Sequence, residues 1–309
     1  MTNAGTAEVA LAREDSYRTV NDPSTLTWFQ PGVNVSLTGP TLDRQQERTR
    51  QPDDPRPQSS RPGQISGSLT IEFSLTGQRS GTGGEWEQAL FHDGGSDATS
   101  ASSLPSQGGV VPSFRVYVAS SLTDGTQSER ILTGAVVTEA EVNWSEEEDV
   151  TVSLTMEYAT EDDSVSAPST IDQPSASDVY AFHGADINVG GTFQANLNTA
   201  TLSVANLSRL RYGQEQAATD AVVGALEPSF TTDAVFTEVD QLSLAQTGTG
   251  GGELTDSTTA TLSFSNDNGD TFSYNLEGLF PTSHEWSSVV EPDGDLTENV
   301  EYHVTTVSQ

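Results

Sequence analysis

The chain has 309 residues, with 45 Asp plus Glu against 12 basic residues and a formal charge of -33. All 12 basic residues are arginine, and the sequence contains neither lysine nor cysteine. This excludes disulfides, thiolate chemistry and cysteine zinc sites, and it disfavours nucleic-acid binding through phosphate contacts, which needs clustered Lys or Arg.

In chain order, residues 1–24 are small, polar and poorly periodic, and read as an N-terminal arm ordered only against a partner. A first β unit is expected over 25–160, beginning with strands near Leu26, Trp28, Val33, Val35 and Leu37. Residues 40–63 hold Arg44, Arg48, Arg50, Arg56 and Arg61 among five prolines, and read as an extended loop rather than an element. Ile65, Leu69, Ile71, Phe73 and Leu75 then mark a strand, and GEWEQALFHDGG marks a helix with Trp86, Ala89 and Leu90 on one face and Gly94 and Gly95 beyond it. A linker rich in Ser, Pro and Asp is expected over 161–178, and a second β unit over 179–309 with its own long loop near 213–228.

The two units repeat landmarks 144 residues apart. Gly125 matches Gly269, Gly134 matches Gly278, and Tyr158 matches Tyr302. A tryptophan, Trp144 or Trp286, and an acidic turn lie between the second glycine and the tyrosine. Phe114, Val116 and Val118 alternate before Asp124-Gly125. Leu262, Phe264, Phe272, Tyr274 and Leu276 alternate around Asn268-Gly269. Alternation of period two with such dipeptides predicts half-buried strands joined by type I′ turns. Many short strands of this kind predict a mainly β fold of two tandem sandwich or barrel units, with one or two short helices and long inter-subunit loops.

The charge is that of a halophilic protein. Repulsion among so many carboxylates is severe at ordinary ionic strength, and is screened in molar salt, where the Debye length falls to about 3 Å. Catalytic constellations are absent by motif. His92, His183, His284 and His303 lack ligand spacing, and clusters such as Glu146-Glu147-Glu148-Asp149 read as solvated surface. NDNGD at 266–270 has its glycine out of register for a calcium loop, and TGTGGGE at 247–253 lacks the flanking strand and helix of a phosphate loop. No catalytic residue, cofactor or metal is therefore expected. The start lacks a charged region followed by an apolar core, and no apolar run reaches membrane-helix length, so neither export nor membrane insertion is expected.

The run from ALAREDSYRTVND through ISGSLTIEFSL and RILTGAVVTEAEVNWSEEEDVTVSLTMEYA to YAFHGADINVGG resembles tail tube proteins of long-tailed (siphovirus-like) viruses. The acidic, lysine-free composition resembles those infecting haloarchaea. The resemblance implies a structural virion protein, assembled in the host cytoplasm. Its copies would stack as rings around a tape-measure protein, meet tail-end proteins, and later form a conduit that DNA crosses without specific binding. Two units per chain imply a trimeric ring with pseudo-sixfold symmetry, or a hexamer if only one unit faces the lumen. Arg44, Arg48, Arg50, Arg56 and Arg61 are the expected inter-subunit contacts, through guanidinium–carboxylate pairs. The alternatives are a host-binding spike or capsid-decorating virion protein, and a cell-surface adhesion module.

Overall fold

Period-two alternation becomes strand almost everywhere it occurs. The computed structural model describes residues 8–49, 52, 56, 59–77, 82–95, 99–121, 127–162, 167–193, 197–236, 242, 245, 257–287 and 295–309. In the first half the strands are β1 (Glu8–Arg13), β2 (Trp28–Phe29), β3 (Val33–Thr49), β4 (Ser59–Ser74), β5 (Phe114–Ser121), β6 (Gln127–Ser145), β7 (Thr151–Tyr158), β8 (Thr160–Asp162) and β9 (Ile171–Asp172). The second half supplies β10 (Ala185–Val189), β11 (Thr192–Phe193), β12 (Leu197–Ala205), β13 (Ser208–Arg211), β14 (Asp220–Val223), β15 (Glu227–Val235), β16 (Thr258–Ser265), β17 (Thr271–Ser287), β18 (Thr297–His303) and β19 (Thr306–Ser308).

These strands form two layers. One is a continuous antiparallel sheet in the order β3-β4-β7-β6-β12-β15-β18-β17, to which each half contributes four strands. The other layer consists of two smaller sheets, β9-β2-β1-β5-β6-β8 in the first half and β11-β10-β16-β17-β19 in the second. Strands β6 and β17 are long enough to belong to both layers. Each crosses between them at a glycine of positive φ, Gly134 at 64° and Gly278 at 66°, a conformation that costs any residue with a Cβ. Between the layers lies the core, led by Trp144, Tyr158, Tyr180, Tyr274, Tyr302, Phe73 and Phe264.

The sequence repeat is a structural one. The β5–β6 and β16–β17 hairpins share one register: Phe114 faces Ala135 as Thr258 faces Leu279, and Ser121 faces Gln127 as Ser265 faces Thr271. The β6–β7 and β17–β18 pairs carry a bulge at the same place, Thr138 and Thr282. There Met156 faces Val137 and Tyr302 faces Pro281. Tyr302 is therefore the counterpart of Met156, not of Tyr158, because the turn between β17 and β18 is two residues longer than that between β6 and β7. Trp286 likewise stands at the position of Val142, two residues before that of Trp144.

Several expectations are corrected. Residues 40–63 are not an extended loop: β3 and β4 run through them as the arms of one hairpin, with Arg44 opposite Ile65, Arg48 opposite Ser60 and Glu47 opposite Arg61. Prolines 40 and 62 fit because β3 is an edge strand and the hairpin is bulged nearby. The segment 213–228 is not all loop, since it contains β14 and the start of β15. Residues 8–13, expected to order only against a partner, form β1 within the chain's own core, with Ala10, Leu11 and Ala12 almost fully buried. Between 161 and 178, β8 and β9 are built into the first small sheet. The GEWEQALFHDGG helix is a 3-10 helix over Thr82–Ala89, and Trp86 packs edge-on against Phe73. Asn268-Gly269 does close a hairpin, but only Gly269 has positive φ. The Asn266 side chain accepts from the Asn268 and Asp270 amides, making a five-residue turn rather than type I′. Asp124-Gly125 and residues 247–253 lie outside the described residues.

Candidate functional site: sheet edges, open face and arms

The joint between the halves is made by β6 and β12, which pair antiparallel from Ser145–Thr199 to Ala140–Val204. Beneath it Trp144 stacks on Phe264 of the second half, centroids 5.1 Å apart and planes 10° from parallel. On the opposite side Thr201 donates to Asn143 at 2.8 Å. The joint is head-to-tail. By the shared registers, β12 is the repeat counterpart of β3 and β6 is the counterpart of β17. Among the described residues, β3 and the end of β17 have no partner on their outer sides. The chain thus pairs one copy of each edge internally and leaves the other copy open, and open edges carry rows of unsatisfied N–H and C=O groups.

The two exposed large hydrophobic residues among those described sit on these edges, Leu42 on β3 and Trp286 on β17. Trp286 is 46% exposed where its counterpart Val142 is 2%. Its neighbour His284 is nearly buried and bonds Glu298 at 3.0 Å. Burial raises the Glu298 pKa, and the hydrogen bond to His284 opposes that rise.

One face of the eight-stranded sheet packs on the core, and the other is open. Along β7 the open positions are Thr151, Ser153, Thr155 and Glu157, between buried Val152, Leu154 and Met156. Glu139, Glu141 and Asn143 continue that face on β6, Thr199, Thr201 and Ser203 on β12, and Thr231 and Asp233 on β15. On β6, β7, β12 and β15 this face carries hydroxyls, amides and carboxylates with no arginine, and on β18 the exposed His303 joins it opposite Ser229.

Each half also sends out a hairpin arm. Strands β13 and β14 continue the β12–β15 hairpin, just as the distal parts of β3 and β4 continue theirs, and both arms shift register at the same step. The second arm lies back on the first half. Leu207 N donates to Thr138 O at 2.9 Å, Ser208 Oγ to Val137 O at 2.6 Å, and Ile65 N to Gln216 O at 2.9 Å. Ala221 and Val223 pack with Val111 and Val136. Arg18 donates to Ala218 O at 2.9 Å and stands 3.9 Å from Glu215.

Arg18 is held in place by Glu14. That buried carboxylate accepts from Ser113 Oγ at 2.6 Å, Arg18 N at 2.8 Å and Gly134 N at 3.2 Å, and so fixes the chain at the Gly134 crossing. Burial raises its pKa, against those hydrogen bonds and the Arg115 charge 3.7 Å away. Arg130 pairs with Glu161 beside the Tyr158 hydroxyl, which donates to Thr41 O at 2.7 Å and so ties the root of the first arm.

The first arm runs past the end of β7 at Tyr158 for eight residues of β4, roughly 25 Å at strand rise. Four of the five arginines singled out in the sequence are among the described residues of this segment. Arg44 is exposed at its base, Arg48 and Arg61 lie on its two strands, and Arg56 is exposed at its tip; Arg50 lies outside the described residues. Sequence reasoning singled out this segment for its arginines, but missed the edges and the open face. The signal for the edges was present in the duplication, since a strand paired in one copy needs a partner in the other.

Among the described residues no helix is long and apolar enough to cross a membrane. No curated protein matches the chain at a significant level. A family model described as phage tail tube protein matches residues 5–303, nearly the whole chain. The mainly β two-layer fold, with its unpaired edges and projecting arms, agrees with a role in assembly rather than catalysis, and the chain belongs to the phage tail tube protein family, structural components of the virion tail.

Proposed function

We propose that three copies of this chain close into a ring of six β units, that rings stack into the tail tube, and that the open face of the eight-stranded sheet lines its lumen. The observation that carries this reading is the head-to-tail joint between the halves: β6 pairs β12 within the chain, while their counterparts β17 and β3 are left as open edges. A heterologous contact of this kind generates a ring if its rotation closes. Three eight-stranded sheets at ~4.8 Å spacing close to a backbone circle roughly 37 Å across before strand tilt widens it. Two copies give roughly 24 Å by the same spacing, too narrow for a hydrated duplex once side chains project inward.

The arginine-free open face suits a conduit. A face dominated by carboxylates and hydroxyls offers phosphates no arginine to hold, so DNA slides rather than binds. The tube assembles in the host cytoplasm around a tape-measure protein and meets tail-end proteins at its ends. The composition supports a virus of haloarchaea, with assembly at molar salt. Negative-stain imaging and mass measurement of the purified protein in several molar potassium chloride test the reading. Rings of three chains with sixfold appearance are expected, and six chains per ring or persistent monomers overturn it.

A further inference from the structure

We infer that the joint inside the chain is the template for the joint between chains, so that its register fixes which residues meet across the subunit boundary. The inference rests on the ring reading above and adds the contact. Carrying the β6–β12 pairing onto the open edges sets Thr41 of one copy opposite Glu285 of the next, as Ser203 faces Glu141. It sets Leu42 opposite His284, as Val204 faces Ala140. Trp286 then lies diagonal to Leu42, within about 7–8 Å and in reach of a ring. Their internal counterparts, Val142 and Val204, are buried at 2% and 1%. The two exposed large hydrophobic residues are thereby brought together and covered.

The arm follows the same rule. The first arm of one copy lies on the second half of its neighbour, as the second arm lies on the first half within the chain. Gln45 N then donates to Thr282 O in place of Leu207 to Thr138. The receiving residue is half-exposed Phe280, at the place of fully buried Val136.

The chemistry of the two arms differs in a way that fits their tasks. The internal arm carries Leu210, Ala221, Val222 and Val223, an apolar set that stays covered once the chain folds. At those positions the first arm has Arg48, Ser60, Arg61 and Pro62. Such a sequence keeps the hairpin soluble while exposed and supplies a chemistry that pairs with carboxylates.

The absence of native cysteine makes the register testable by disulfide trapping. T41C and E285C are single substitutions at exposed positions. Mixed, assembled in high salt and oxidised, they are expected to give a covalent dimer joining one chain of each kind. Neither alone should give a dimer, because unlike edges meet. The T41C/E285C double variant should give covalent trimers. Imaging of the same samples separates the two readings: loss of rings in the parent protein defeats the ring itself. Normal tubes without the mixed dimer defeat the register, and dimers of T41C alone show that like edges pair and defeat it as well.

Discussion

Replacing Trp144 tests what holds the two halves together. Its ring is 1% exposed and lies flat on Phe264, so Trp144→Ala removes a large aromatic from the joint and opens a cavity. Truncations of this kind cost about 3–5 kcal/mol, and the lost stack adds about 0.5–1.5 kcal/mol. One effect opposes these. Trp144 Nε1 is buried without a hydrogen-bond partner among the described residues, and a buried unsatisfied donor costs about 1–3 kcal/mol. Trp144→Phe removes that donor while keeping a ring on Phe264, and is expected to stay within about 1 kcal/mol of the parent by the same figures. Urea unfolding at fixed molar salt, followed by circular dichroism, measures both. If Trp144→Ala loses less than about 1 kcal/mol, or Trp144→Phe loses as much as Trp144→Ala, the stack does not secure the joint.

Gly278→Ala should destabilise more than Gly269→Ala by the same assay. Both glycines have positive φ, which costs about 1–2 kcal/mol, but a Cβ at Gly278 falls 2.2 Å from Thr305 Oγ1 while one at Gly269 meets nothing within 4 Å; equal losses would remove the steric argument. Buried His92 has its pKa lowered to about 4 by desolvation, with the Arg13 charge adding and Asp93 opposing. The unfolded chain therefore binds the extra proton first, and stability is lost as pH falls from about 6.5 toward 4, by at most about 3 kcal/mol. His92→Gln should flatten stability across that window, and an unchanged slope refutes the assignment. Withdrawing salt should unfold or disassemble the protein, and unchanged circular dichroism down to about 0.1 M, where the Debye length is about 10 Å, defeats the halophilic reading.

The strand pattern was legible wherever one face meets the core, because burial enforces alternation: Val150 through Tyr158 reads without ambiguity. The arm over 40–63 was not, because a hairpin with solvent on both sides imposes no alternation, and its arginines and prolines imitate a loop. The glycine landmarks Gly134 and Gly278 were sound, since positive φ at a strand crossing leaves few residue choices. The tyrosine match failed for the opposite reason. Many large side chains can fill a core position, so Tyr302 and Met156 share a place without sharing a letter. The open edges leave no mark in a single strand's sequence, because pairing is a property of the neighbour.

Fusing two units in one chain has a consequence for how rings sit on one another. In a ring of three chains, half of the six lateral joints form inside a folding chain at fixed high effective concentration, and only the rest wait on collision. The joints within a chain are free to become permanent and apolar, while those between chains would keep a charged, reversible character. Around the rim, arms with Arg48 and Arg61 then alternate with arms that have Leu210 and Val222 at the same positions. Each ring presents three identical faces rather than six, so the next ring can settle at rotations of 120° but not 60°. In such a ring the duplication would restrict the equivalent seatings of the next ring to those 120° apart.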